Sequence, residues 1–174
     1  MKKFNSGKAV ILLALLALAG CGGGGGAATV TGPQKTATVT FGIMGNYTSP
    51  ITGVSIAARL PEGVTVAREG STTTLQQPGL SSGKGLVFGT YSSTSRLVEI
   101  GVVNLSQNIG YGTFATLQCN VLPGYTLSAD SFRTLNSPFP GFKAVAADPT
   151  LGVVSTDTTL QGRITPTLDV SFGY

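Results

Sequence analysis

The chain has 174 residues, of which 10% are charged and none is histidine, and its net charge is +4. Without histidine, the sequence lacks the usual general base, the commonest metal ligand and every Ser-His or Cys-His nucleophile pair. The length suits one domain with a hydrophobic core. Threonine, serine, glycine and valine dominate, and this composition favours strands and turns over helices.

Residues 1–20 have the layout of a secretory signal. Lys2, Lys3 and Lys8 form a basic start, and residues 9–19 are an apolar run that ends in small residues before Cys21. An uncleaved membrane anchor is the alternative interpretation. A membrane-spanning helix needs about 20 apolar residues, and this run is shorter. The pattern therefore favours a signal peptide.

The four residues Leu18-Ala19-Gly20-Cys21 resemble the lipobox of bacterial lipoproteins. The resemblance implies cleavage before Cys21, a diacylglycerol on its thiol and an acyl chain on its new amine. Two or more chains hold a protein firmly on a membrane. Gly22 stands where an aspartate often marks inner-membrane retention. The resemblance therefore implies a lipid-anchored protein of the cell envelope, on the outer membrane of a Gram-negative bacterium.

Removal of the signal changes the charge of the chain. Lys2, Lys3 and Lys8 leave with it, so that 8 basic residues face 7 acidic ones and no Lys/Arg cluster remains. We therefore expect no nucleic-acid binding. Residues 21–34, which include five consecutive glycines, predict a flexible tether between the lipidated Cys21 and a domain over residues 35–174.

From residue 35 onward, short alternating segments are separated by Gly, Pro, Ser and Asn, a pattern typical of sandwiches and barrels. Strands are predicted over residues 36–43, 51–60, 64–67, 86–89, 97–103, 114–121, 143–147, 151–154 and 168–172. Residues 71–85 are predicted as a polar connection with room for a short helical turn, and residues 128–132 as one helical turn. The predicted fold is all-β, a jelly-roll or immunoglobulin-like sandwich of about eight or nine strands.

Cys119 is predicted to be a core residue. It alternates with Ala115, Leu117 and Val121, which places all four side chains on one face of a strand. If Cys21 carries lipid, Cys119 has no partner for a disulfide within the chain. A free cysteine packs as a small hydrophobic side chain, so we expect an inert thiol.

Several segments resemble a cohesin-type domain across roughly residues 36–157. They are residues 37–41, 60–64, 98–102 and 112–117, together with Ser131-Phe132. In cohesins a strand with a Gly-x-(Phe/Leu)-Ala-Thr-(Leu/Ile) pattern enters the core after a loop, and residues 112–117 match it. The resemblance implies a nine-stranded jelly-roll sandwich, as in carbohydrate-binding modules, and it implies binding rather than catalysis. No dockerin-like segment, catalytic module or second cohesin accompanies it, so no role in a cellulose-degrading assembly is expected.

The remaining chemistry rests on carboxylates. A glycosidase needs two acids that flank a bond, and the sequence offers Glu62, Glu69, Glu99, Asp130, Asp148, Asp157 and Asp169. Nothing in their spacing pairs them. Asp148 and Asp157 lie near loops and carry oxygen ligands that suit calcium, but no D-x-D-x-D spacing is present. We therefore predict a non-enzyme with no metal and no cofactor.

Five aromatic residues lie in or beside predicted turns: Tyr47, Tyr91, Tyr111, Phe139 and Phe142. The two phenylalanines stand three apart, with Phe139 between Pro138 and Pro140, and they would expose apolar area unless they fold back over a sheet edge. We predict Phe139, Phe142, Tyr47 and Tyr111 as the contact surface. The first function predicted is a lipid-anchored extracytoplasmic module of the cell envelope, binding or structural, that engages a protein partner. A glycan-binding module is the alternative, and a carboxylate-dependent hydrolase is the third.

Overall fold

The computed structural model describes residues 33–106 and 108–174. The predicted signal peptide and Cys21 lie outside the described residues, as does most of the predicted tether. Gln34, the last residue of that tether, contacts the domain. Its side chain donates to the backbone oxygen of Leu127 at 2.8 Å and accepts from the backbone N–H of Leu127 at 2.7 Å.

The described residues form ten strands and one helix. In chain order these are β1 (Thr36–Gly45), β2 (Ile51–Arg59), β3 (Val64–Val66), β4 (Leu80–Ser81), β5 (Leu86–Ser92), β6 (Leu97–Val103), β7 (Gly112–Val121), α1 (Ala129–Leu135), β8 (Gly141–Asp148), β9 (Gly152–Ser155) and β10 (Ile164–Gly173). Within these residues, no helix is long and apolar enough to cross a bilayer.

The strands form two antiparallel five-stranded sheets. Sheet A has the order β10-β1-β7-β3, with β4 also paired to β7, and sheet B has the order β5-β6-β2-β8-β9. The predicted all-β sandwich is therefore confirmed. Strands that follow one another in the sequence can lie in different sheets: β1 belongs to sheet A and β2 to sheet B.

The core lies between the two sheets and is built by alternation along the strands. In β1 the side chains of Ala37, Val39, Phe41 and Ile43 are buried. The largest fully buried side chains in the described residues are Phe41, Phe114, Phe132, Ile43, Ile51, Leu60, Leu80, Ile100, Ile109, Leu117 and Leu160. Cys119 is also buried, as predicted.

Strand β7 contains an irregularity that simple alternation does not predict. Ala115 pairs with Phe41 and Thr113 pairs with Gly42, so Phe114 is an extra residue between them. A bulge of this kind turns a side chain to the other face. The ring of Phe114 is consequently buried beside Ala115 rather than exposed.

Helix α1 is longer than the single turn predicted, and it contacts both sheets through β10 and β2. Ser128 caps its N-terminus: its hydroxyl accepts from Ser131 N–H, and the Ser131 hydroxyl accepts from Ser128 N–H. Phe132 is fully buried and its ring centroid lies 6.2 Å from that of Phe172. The helix therefore closes one side of the sandwich.

Other segments also differ from the sequence expectation, including β5, which runs to Ser92 and so places the buried Tyr91 in a strand rather than beside a turn. The connection over residues 71–85 holds the short strand β4, which pairs with β7 and directly follows a turn in which Leu80 N–H donates to Gln76 O at 3.2 Å. Strand β10 begins at Ile164, four residues before the predicted start, and includes Pro166. Because β10 is at the edge of sheet A, a residue without a backbone N–H is tolerated there.

Candidate functional site

The outer face of sheet B carries a shallow groove, which we call the sheet B groove. Two rows of residues, set by the strand register, define it. The first row crosses β5, β6, β2 and β8 as Phe88, Gly101, Ser55 and Lys143. The second row crosses the same four strands as Thr90, Glu99, Ala57 and Gly141. The groove has a volume of about 350 Å³, which lies within the range of small-ligand pockets.

The floor of the groove is made of small residues, and one wall is aromatic. Gly101, Ser55 and Ala57 line the middle of the groove, while Phe88 stands on the edge strand β5. A side chain at Gly101 would overlap the ring of Phe88, so the ring lies directly against the backbone of β6. Phe88 is nevertheless 55% exposed, and Leu86 on the same face of β5 is 75% exposed. The groove therefore presents apolar surface to its surroundings.

Two charged side chains line the same groove. Lys143 on β8 stands opposite Ser55, and its ammonium lies 2.5 Å from a carboxylate oxygen of Asp157. Glu99 on β6 pairs in register with both Thr90 and Ala57. An ion pair exposed to solvent contributes little to stability. The ion pair of Lys143 with Asp157 therefore adds little to the stability of the fold.

Tyr47 and Tyr111, two of the predicted contact residues, lie together. The hydroxyl of Tyr111 accepts from Tyr47 N–H at 2.5 Å and donates to the Tyr47 carbonyl at 2.8 Å. Tyr47 is only 9% exposed, and Tyr111 is 37% exposed. The guanidinium carbon of Arg163 lies 5.9 Å from the Tyr47 ring centroid. The pair therefore joins the β1–β2 loop to the segment that precedes β7.

The Tyr47 hydroxyl extends this cluster to Asp148 at the end of β8. One Asp148 oxygen accepts from the hydroxyls of Tyr47 at 2.5 Å and Ser49 at 3.1 Å, and the other accepts from the backbone N–H groups of Thr150 and Leu151 at 2.9 Å. The Tyr47 bond and these backbone bonds lower the pKa of Asp148 to about 2, and the same contact raises the pKa of Tyr47. These bonds occupy both carboxylate oxygens, so the cluster serves as a structural tie between two loops.

Phe139 and Phe142, the other two predicted contact residues, are half-buried and pack against the core. Phe142 pairs in register with the buried Ile56, which puts its ring on the core side of sheet B, although the residue also borders the sheet B groove. Phe139 precedes β8, whereas Tyr47 bonds to Asp148 at the other end of that strand. Because a strand of this length spans roughly 25 Å, the four predicted residues do not form one surface. Their role in contact with a partner stays a prediction.

Most of the carboxylates have structural partners. Glu62 contacts Arg96 and the Tyr125 hydroxyl, and Arg133 joins Asp130 to Asp169. Within residues 33–106 and 108–174, no three Cys, Asp or Glu side chains come together in a way that would hold a metal ion.

Phe88 is not among the residues predicted to contact a partner, although the sequence carries a signal for it. Phe88 alternates with Val87 and Gly89, so it belongs to the opposite face of β5 from those residues. Gly101 and Gly53 are in strand interiors, where glycine often marks a close approach of another group. Phe88 and Gly101 become neighbours only through the pairing of β5 with β6.

The chain matches no protein-family model, no characterised protein and no solved structure.

Proposed function

We propose that this protein is a lipoprotein of the cell envelope whose β-sandwich binds a protein partner through the sheet B groove, without catalysing a reaction. Lipid attachment at Cys21 and an outer-membrane location belong to the same proposal, which the lipobox-like residues 18–21 support. A cohesin-type sandwich is also part of the proposal, and the resemblance over residues 36–157 supports it.

The observation that carries the proposal is the exposed ring of Phe88 beside a floor without large side chains. An exposed apolar patch bordered by polar residues is typical of a protein interaction site, and aromatic anchors supply much of the binding energy in such interfaces. The ring of Phe88 covers Gly101, so an apolar side chain of the partner would lie against that ring over Ser55 and Ala57. Glu99 and Lys143 would contact polar groups at the rim of the interface.

Site-specific crosslinking in intact envelopes tests this assignment. A photoreactive phenylalanine analogue replaces Phe88 in the full chain, and the same analogue replaces Leu122, an exposed apolar residue outside the groove. We expect position 88, and not position 122, to crosslink a protein of the envelope. Crosslinks to polysaccharide alone, or equal yields at the two positions, would contradict the proposal.

Two variants then measure the groove with the identified partner. Phe88→Ala removes the anchor and should weaken binding by about 2 kcal/mol, or roughly thirtyfold in Kd. Ser55→Trp fills the floor while leaving Phe88 in place, and it should weaken binding at least as strongly. Leu122→Ala serves as the matched control with unchanged Kd. Since all three positions are exposed, thermal unfolding should show that each variant is folded.

A further inference from the structure

The outer face of sheet A differs chemically from that of sheet B. Its central strands present hydroxyl and amide side chains in adjacent rows: Thr36 opposite Asn120, Thr38 opposite Gln118, and Thr40 opposite Thr116. Asp169 is opposite Thr40 on β10 and is paired with Arg133. The outer face of sheet A therefore presents mainly uncharged hydrogen-bonding side chains.

A groove, which we call the amide groove, crosses this face. Its floor consists of Thr36, Thr38, Gln118 and Asn120, and the loop that contains Gln76 and Gln77 forms one wall. The backbone N–H of Gln118 donates to Gly79 O at 2.7 Å, which holds that loop against β7. The volume is about 420 Å³, and no lining residue carries a charge.

The four amides of this groove have no hydrogen-bond partner for their side chains within the described part of the chain: Gln76, Gln77, Gln118 and Asn120. Each amide offers one acceptor oxygen and an NH₂ group with two donors. A hydroxyl group of a ligand can donate to the amide oxygen and accept from the NH₂ group. A groove with this inventory and without cations or exposed aromatic rings suits neither nucleic acid nor an apolar peptide.

We infer that the amide groove binds a neutral glycan chain, with Gln118 and Gln77 as the principal hydrogen-bonding residues. A sugar chain without charged groups supplies alternating hydroxyl donors and acceptors and requires no ion pair. The site lies on the opposite sheet from the sheet B groove. The inference therefore does not depend on the proposed protein partner, and either can fail alone.

Isothermal titration of the full chain in detergent micelles tests the inference. The probes are maltohexaose, cellohexaose and chitohexaose, all neutral, with hexagalacturonate as the anionic comparison. We expect at least one neutral probe to bind. Gln118→Ala and Gln77→Ala should each weaken that binding about fivefold, since each removes one neutral hydrogen-bonding side chain.

Two control variants show whether the glycan binds in the amide groove. Gln161→Ala changes an exposed glutamine outside the amide groove and should leave the Kd unchanged, and Phe88→Ala should do the same. Equal unfolding temperatures would show that the glutamine variants are intact. Absence of binding to all three neutral probes at millimolar concentration would overturn the inference. So would tighter binding of hexagalacturonate, unchanged binding in both groove variants, or loss of binding in Phe88→Ala.

Discussion

Asp148 is the most heavily hydrogen-bonded carboxylate of the described residues. It accepts from two hydroxyls, including that of Tyr47, and from two backbone N–H groups. All of these bonds favour the charged form, which is why its pKa falls to about 2. Asp148, one of the two residues whose oxygens would suit calcium in the sequence, thus already has both oxygens engaged by the loops that it joins.

The lowered pKa predicts a pH dependence of stability. An ordinary aspartate titrates at 3.8, so protonation of Asp148 favours the unfolded chain. Its stabilising contribution is complete above about pH 4 and is lost as the pH falls towards 2. Asp148→Asn should unfold at lower urea concentration at neutral pH and show a smaller loss of stability between pH 4 and pH 2.

Tyr47→Phe provides the matched variant for this measurement. It removes the largest cause of the lowered pKa while retaining the ring beside Arg163. Its loss of stability with falling pH should lie between those of wild type and Asp148→Asn. If all three proteins lose stability equally over this range, the Asp148 cluster does not contribute as described.

The thiol of Cys119 should be unreactive in the folded protein. Cys119 is 2% exposed, and burial raises the pKa of its thiol to about 12. Since the thiolate is the reactive form, iodoacetamide should label it at pH 8 only after urea is added. The experiment uses a Cys21→Ser background so that Cys119 is the only thiol in the chain. Rapid labelling of the native protein would instead place Cys119 at the surface.

Helix α1 is tied to sheet B by the buried amide of Asn136. Its side-chain oxygen accepts from Arg59 N–H at 2.7 Å, and its NH₂ group donates to Arg59 O at 2.9 Å and Phe132 O at 2.8 Å. Asn136 also ends the helix, where its backbone N–H donates to Arg133 O. The residue therefore satisfies backbone groups of both elements.

Removal of this amide should lower the free energy of unfolding by about 1 to 3 kcal/mol, because buried backbone groups lose their partners. Asn136→Ala is the variant, and urea denaturation measures it. Asn120→Ala is the control, since Asn120 is exposed and a surface change of this kind costs less than about 0.5 kcal/mol. Equal destabilisation by the two substitutions would show that the Asn136 bonds contribute nothing specific.

The strands were largely predictable because alternation is local to each segment. Buried positions in β1 and β2, such as Phe41 and Ile56, follow the period-2 pattern directly. The burial of Phe114 was not predictable, since it depends on a bulge against β1. Nor was β4, whose two residues are defined by pairing with β7 and not by a pattern of their own.

The sites were harder to predict than the strands, because they depend on contacts between segments. The sheet B groove takes Phe88, Gly101, Ser55 and Lys143 from four strands, and only the register places them in one row. The aromatic residues predicted to contact a partner were chosen because they lie in or beside predicted turns. Tyr47 instead lies inside a hydrogen-bonded cluster, and Phe139 and Phe142 pack against the core.

At the scale of the whole molecule, the two outer faces of the sandwich offer different chemistry. Sheet B exposes Phe88 and Leu86, while sheet A exposes amides and hydroxyls such as those of Gln118 and Thr36. Because the core lies between the sheets, both faces are open at once. The two proposed sites, one for a protein partner and one for a glycan chain, would therefore not compete for the same surface.

The lipobox-like residues 18–21 predict how the whole chain is attached to its membrane. Cys21 stands at their end, and two or more acyl chains would hold the protein firmly there. Cys21→Ser should therefore move the chain from the membrane fraction to the soluble fraction, whereas Cys119→Ala, at the buried cysteine, should remain with the membrane. Carbonate-washed membranes and immunoblotting measure the distribution. Retention of Cys21→Ser at the wild-type level would show that the anchor is not a lipid on Cys21, and the uncleaved apolar run at residues 9–19 would then be the alternative.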